Sequence, residues 1–156
     1  DIESIGEPIH RLIPRMTYAI ASRDAAADLT GTPNPSADEA RNACRQLSHM
    51  GPAVAAITLG HDGVIAWDGD QFFHQPAFDV EVVDTTGAGD AFHGGFCVGL
   101  LLGLDLPDNL AFASAVAAIN CRTLGGRRGL PTLTDVVDFL RQRRAAFDLA
   151  HLRWRA

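Results

Sequence analysis

The 156-residue chain reads as an α/β protein with a mostly parallel sheet, and three observations carry that reading. Helical periodicities alternate along the chain with short apolar runs of strand length. One run, Ala53 to Thr58, is almost wholly apolar, as strands buried on both faces of a helix-covered parallel sheet are. It delivers Thr58 to the carboxyl edge of the sheet, where the glycine-flanked loop Leu59-Gly60-His61-Asp62-Gly63 stands where open α/β sheets bind ligands.

The elements follow in order. Ile5, Ile9, Leu12 and Ile13 share one helical face within residues 4–15, a segment that ends near Pro14. Tyr18-Ala19-Ile20-Ala21 is a short strand, and Ser22 behind it can cap a helix from Arg23 to Leu29. Gly31 to Pro35 has loop chemistry. Ser36, with Glu39 three residues on, forms a capping box for a helix reaching about Met50, which Gly51-Pro52 stops. Beyond the Ala53–Thr58 strand, Val64 to Trp67 and Gln71 to His74 read as a hairpin joined by Asp68-Gly69-Asp70. Pro76 to Val83 is partly extended. Ala91 to Leu104 is nearly all apolar or glycine, the pattern of a buried central helix. Pro107 starts another helix, Asp108 to Arg122, whose alanines at 111, 113, 115, 117 and 118 suit either tight helix packing or a flat ligand. Gly125 to Gly129 is a basic glycine loop ended by Pro131, and Thr132 or Thr134 can cap the last helix. Arg141, Arg143, Arg144, Arg153 and Arg155 then belong to a solvated terminal helix.

Composition narrows the function. With 47% hydrophobic and 21% charged residues the chain suits one soluble domain. A net charge of -6 argues against nucleic acid as a main partner, because phosphate backbones need a basic surface. Cys44, Cys97 and Cys121 are widely spaced and lack any ligand pattern, so they are expected to be buried thiols in a reducing compartment, with no disulfide and no zinc. The longest apolar run, Phe96 to Leu102, is too short and too interrupted by glycine to span a bilayer. A cytoplasmic protein with no membrane partner is the expectation.

The chemistry concentrates in Asp84-Thr85-Thr86-Gly87-Ala88-Gly89-Asp90-Ala91-Phe92-His93-Gly94-Gly95-Phe96. Gly87 and Gly89 open backbone conformations closed to other residues, so amide groups around Ala88 can converge into an anion-binding nest. The helix entry adds its own unpaired NH groups and the positive end of its dipole. An ionised Asp90 beside that nest can accept a proton from an attacking hydroxyl. Rival phosphate motifs are excluded, since all 13 basic residues are arginine and both a Walker A loop and a protein-kinase strand need a lysine.

This thirteen-residue string closely resembles the C-terminal signature of the ribokinase-like (PfkB) carbohydrate kinase family. The resemblance implies a three-layer α/β/α sandwich and ATP-dependent phosphoryl transfer to a hydroxyl of a small sugar or sugar acid. Residues 1–156 then form the nucleotide-binding C-terminal portion of a single domain, a chain about half the family's length that opens at Asp1 without a methionine. On the matching positions, Asp90 is the catalytic base and Gly87, Ala88 and Gly89 form the anion hole. Thr58, Gly60 and Gly63 sit by the ATP phosphates, and Ser114 lies on the helix beside adenine. Asp84, Thr86, Asn120, Gly125 and Gly129 match the neighbourhood that in some members holds potassium. The resemblance further implies Mg2+ and a possible homodimer of the full-length protein. His93 is expected to pack in the signature helix rather than act as acid or base. The chain departs from the family where many members carry Asn-x-x-Glu after the first strand; here the residues are Ser22-Arg23-Asp24-Ala25, closer to the ketohexokinase-type branch. That leaves Asp24 or water to serve the metal. Two other functions fit the same residues: a nucleoside kinase of the adenosine type, and a catalytically silent nucleotide-binding or regulatory protein.

Overall fold

The computed structural model describes residues 2–143, which divide into two compact units, the first running to Ala77 and the second beginning at Phe78. The order in the first unit is α1 (Glu7–Leu12), β1 (Tyr18–Ser22), α2 (Arg23–Thr30), α3 (Ala37–His49), β2 (Val54–Thr58), β3 (Val64–Trp67) and β4 (Phe72–Gln75). The second contains α4 (Ala88–Leu101), α5 (Leu106–Asn120) and α6 (Leu133–Arg143). No helix among the described residues is long and apolar enough to cross a membrane.

In the first unit the strands lie in the order β1-β2-β3-β4. β1 and β2 are parallel, with Tyr18 opposite Val54 and Ser22 opposite Thr58. The two following pairs are antiparallel, because connections this short can only reverse the chain. Both helices of the β1-to-β2 connection are capped by the serines the sequence offers. Ser22 Oγ accepts from the Ala25 amide at 3.2 Å. The Ser36–Glu39 capping box is complete in both directions, and its amide-to-carboxylate arm holds Glu39 below the usual carboxylate range. α3 then lays Ala40, Ala43, Cys44 and Leu47 into the core against Ala55, Ile57 and Ile65. Burial pushes the Cys44 thiol up to about 12, so it is inert packing. Arg45 of α3 lies over both Trp67 and Phe72, 5.2 and 4.9 Å from their ring centroids, and so fastens the hairpin to the helix. The hairpin differs from expectation by one residue. Asp68 Oδ1 accepts from the amides of both Asp70 and Gln71 at 2.9 Å, which keeps Gln71 in the turn and starts β4 at Phe72.

In the second unit α4 begins three residues earlier than its apolar pattern suggests, so its first turn takes in Ala88, Gly89 and Asp90. α5 is capped by Asp105, which accepts from the Asp108 amide at 2.9 Å and carries Pro107 in the first turn. The two helices approach closely. A Cβ on Gly95 would meet the Ala113 backbone at 3.0 Å, and one on Gly99 would overlap the Asn109 side chain. α6 starts at a mutual cap, Thr132 Oγ1 accepting from the Asp135 amide while Asp135 accepts from the Thr132 amide and hydroxyl. Val136, Phe139 and Leu140 of α6 close the core over Ala111, Phe112, Ala115 and Val116. Arg141 and Arg143 end α6 exposed; Arg144, Arg153 and Arg155 lie outside the described residues.

Two expectations change. α4 is not buried all round: Gly94, Cys97, Val98 and Leu101 form an exposed stripe, because its close helical contact is with α5 on one side. Cys97 is therefore an exposed thiol, whereas Cys44 and Cys121 are buried, and all three are free.

Gly63 closes the turn between β2 and β3 with φ 91°, and a Cβ there would drive into the backbone of Gln75, Pro76 and Ala77. Replacing Gly63 by Ala should destabilise the protein by about 3 kcal/mol or more, from strain and overpacking together. Urea unfolding checks this, and a loss below about 1 kcal/mol would show that the turn relaxes freely.

Candidate active site

The turn before α4 is built by one residue. Gly87 takes φ 72° and ψ 11°, a left-handed conformation that lets the chain enter the helix without a side-chain cap. A Cβ at Gly87 would lie 2.9 Å from Gly126 Cα and 3.0 Å from its carbonyl oxygen, so the turn presses backbone to backbone against the 125–129 loop. The Ala88 amide is directed back to the Thr85 carbonyl at 3.1 Å, and the Ala91 amide to the Gly87 carbonyl at 2.9 Å. Between them, the amides of Gly89 and Asp90 have no acceptor among the described residues, and both residues are exposed. Two adjacent NH groups and the positive end of a 14-residue helix thus point at open space, with the Asp90 carboxylate beside them. Such an arrangement can receive an anion beside a group able to accept a proton.

A second carboxylate holds the turn in place. Asp84 accepts from the Thr86 amide at 2.9 Å and the Gly125 amide at 2.8 Å, and the amides of Val83 and Asp84 both donate to the Cys121 carbonyl. The Thr86 amide and hydroxyl and then the Gly125 amide hold Asp84 below the usual aspartate range. Cys121 is pushed up, by burial first and by the Asp84 charge second. A Cβ on Gly129 would lie 2.5 Å from the Asn120 carbonyl oxygen. Asp84, Thr86, Asn120, Gly125 and Gly129 are therefore gathered into one neighbourhood. Within it the Asn120 side chain is wholly buried, and its Oδ1 and Nδ2 have no partner among the described residues.

Asp90 also lines a groove of about 580 Å3, walled by Gly94 and Val98 of α4, Phe112 and Val116 of α5, and Arg127 and Leu130 of the following loop. Ser114 is not among its lining residues; it lies two positions from both Phe112 and Val116, on the other side of α5, 8% exposed. The turn with Asp90 and the serine are thus not brought together on one wall of this groove. His93 donates from Nδ1 to the Gly89 carbonyl at 2.7 Å and sets its ring edge-on to Phe92, a packed position in the signature helix.

In the first unit, the loop after β2 forms a tight one-turn structure. The Leu59 amide donates to Gly63, Asp62 to Leu59 and Gly63 to Gly60, at 2.7, 3.2 and 3.0 Å. Gly60 supplies φ 61° and meets no obstruction, while the amides of Gly60 and His61 are left exposed without an acceptor among the described residues. Thr58 turns its hydroxyl to the Ala21 carbonyl at 3.4 Å. Arg23, half-buried, joins this loop: its Nη2 reaches the Leu59 carbonyl and Asp62 Oδ2, both at 2.5 Å, and Nη1 donates to Asn34 Oδ1 at 3.0 Å. The guanidinium, with smaller contributions from His61 and His74, holds Asp62 below the usual range. Sequence reasoning passed over Arg23 and Gly126. Gly126 carries no signal of its own until the turn is folded against it.

Asp84 contributes stability that is complete above the ordinary aspartate pKa of about 3.9 and is lost as pH falls through its lower folded value. The stability gap between wild type and Asp84→Asn, measured by urea unfolding, should be constant from about pH 6 to 8 and shrink below about pH 4. A gap indifferent to pH would show that Asp84 is not held by these amides.

A family model described as pfkB family carbohydrate kinase matches residues 3–133. The fructoselysine 6-kinase of Shigella flexneri is 39% identical over 108 residues, 69% of this chain and 37% of that protein. The ATP-dependent 6-phosphofructokinase of Thermoanaerobacterium thermosaccharolyticum is 33% identical over 147 residues, 94% of this chain and 42% of that one. Among solved structures, Arabidopsis thaliana ribokinase complexed with ribose and ATP superposes with a TM-score of 0.78 at 25% identity, covering 85% of this chain and 43% of the other. The chain spans about two fifths of the length of these relatives. Its α/β fold is that of ribokinase, and with the family match running over most of its length the chain belongs to the pfkB family of carbohydrate kinases.

Proposed function

We propose that this protein transfers the γ-phosphoryl group of ATP to a hydroxyl of a small sugar or sugar acid, as the nucleotide-binding C-terminal portion of a single kinase domain. The observation that carries the reading is the exposed Asp90 on the first turn of α4, beside the acceptor-free amides of Gly89 and Asp90. Family membership and the carbohydrate kinases among its relatives support it. Asp90 takes the proton of the attacking hydroxyl, and the amides stabilise charge that spreads over the transferring phosphoryl oxygens. The loop from Thr58 to Gly63 receives nucleotide phosphate on the amides of Gly60 and His61, and Ser114 is assigned to the adenine. The three free thiols support a place in the reducing cytoplasm.

Mg2+ would neutralise the nucleotide phosphates. Exposed Asp24 would be the carboxylate available to that ion, with phosphate oxygens and water as its other ligands. Asp84, Thr86, Asn120, Gly125 and Gly129 fit a monovalent cation such as potassium: they lie together, and the buried Asn120 side chain lacks partners there. That ion would add positive charge to the neighbourhood Asp84 organises.

The test is coupled ADP release against a panel of sugars, sugar acids and adenosine, on the polypeptide at the length at which it is expressed. Asp90→Asn should lower kcat by about 10²-fold or more while leaving ATP affinity and folding unchanged. Near-normal turnover of that variant would remove Asp90 as the base. ATP binding without transfer to any acceptor would favour a regulatory protein.

A further inference from the structure

The departure at Ser22-Arg23-Asp24-Ala25 is occupied by a charge. β1 and β2 run parallel and both end at the Ser22–Thr58 pair, so Arg23 and Leu59, the residue that follows each strand, leave the sheet edge side by side. Arg23 is the first residue of α2, fixed in place by the Ser22 cap. From there its guanidinium joins three segments: its own helix, the 31–36 loop through Asn34 Oδ1, and the Leu59–Gly63 loop through the Leu59 carbonyl and the Asp62 carboxylate. Asn34 is the one non-glycine residue with positive φ among those described, 53°, so the segment supplying this acceptor is held in an uncommon conformation. On the loop's other side the Asp62 carbonyl meets His74 Nε2 at 3.1 Å.

The electrostatics give this clamp a purpose. The Asp62 side chain is 52% exposed and stands one and two residues from the amides of His61 and Gly60, which have no acceptor among the described residues. An unpaired carboxylate there would repel a polyphosphate approaching those amides. A guanidinium in a planar fork both neutralises it and ties it down, which a single point charge does less well.

We propose that Arg23 is the positioning residue of the phosphate loop: it sets the loop's conformation and keeps Asp62 from opposing the nucleotide's phosphates. The inference rests on the loop being the nucleotide loop of the proposed kinase. Arg23 acts through the loop and touches no reacting atom.

Titration of the full chain with MgATP, alongside amide hydrogen exchange and thermal unfolding, tests it. Arg23→Ala should weaken ATP about tenfold and speed exchange of the Asp62 and Gly63 amides. Adding Asp62→Asn to Arg23→Ala should recover part of the ATP affinity, since the repelling charge is gone; a purely structural clamp would only lose more. Arg23→Lys should fall between wild type and Arg23→Ala, and it carries the same comparison if Arg23→Ala fails to fold. Wild-type affinity in Arg23→Ala, or a double variant weaker than the single, overturns the assignment. A wild-type chain that does not bind ATP overturns the kinase reading itself, which is a different result from binding that ignores Arg23.

Discussion

Gly87 and Gly126 meet backbone to backbone, and the site in the second unit depends on that contact. With φ 72° at Gly87 the chain turns into α4 with no side-chain cap, and with no Cβ at 87 the 125–129 loop can lie directly against the turn. An ordinary residue at 87 would meet both constraints at once, strained in its own backbone and driven into Gly126. The consequence is chemical. A helix with a serine, threonine or aspartate cap uses its first amides internally, as Ser36, Asp105 and Thr132 do at α3, α5 and α6. At α4 the side-chain cap is missing, and the amides of Gly89 and Asp90 have no acceptor among the described residues.

The protein handles negative charge in two opposite ways near its candidate phosphate sites. Asp84 and Asp62 are held: the first by the amides of Thr86 and Gly125, the second by the Arg23 guanidinium. Asp90 stands exposed on the groove, with no such clamp drawn around it. A carboxylate tied by two or three donors is a poor proton acceptor, because those donors stabilise its charged form. An exposed one at a helix entry is accessible to an incoming group. The contrast between two held aspartates and one accessible one therefore follows from their hydrogen bonds, without any need for unusual burial.

Much of this was legible in the chain. The Ser36–Glu39 box, the Ser22 cap, the apolar Ala53–Thr58 strand and the glycine signature each rest on local rules, and local rules survive folding. What escaped depends on partners distant in sequence. The start of α4 moved to Ala88 because Gly87 can cap in a left-handed conformation, which an apolar pattern does not reveal. Cys spacing alone groups Cys97 with the two buried thiols, yet its exposure is fixed by which side of α4 is covered by α5. Arg23 lies inside the departing Ser22–Ala25 stretch, where the sequence alone assigns it no role; that role depends on the parallel register that sets it beside Leu59.

A turn at the head of α4 that receives phosphate on its free amides has a spectroscopic signature. Nitrogen-15 amide shifts read this directly. Adding MgATP to the full chain should move the Gly89 and Asp90 resonances strongly, while the Ala88 amide, committed to the Thr85 carbonyl, moves less. Saturable ATP binding that leaves Gly89 and Asp90 unmoved would mean that phosphate does not sit on this turn.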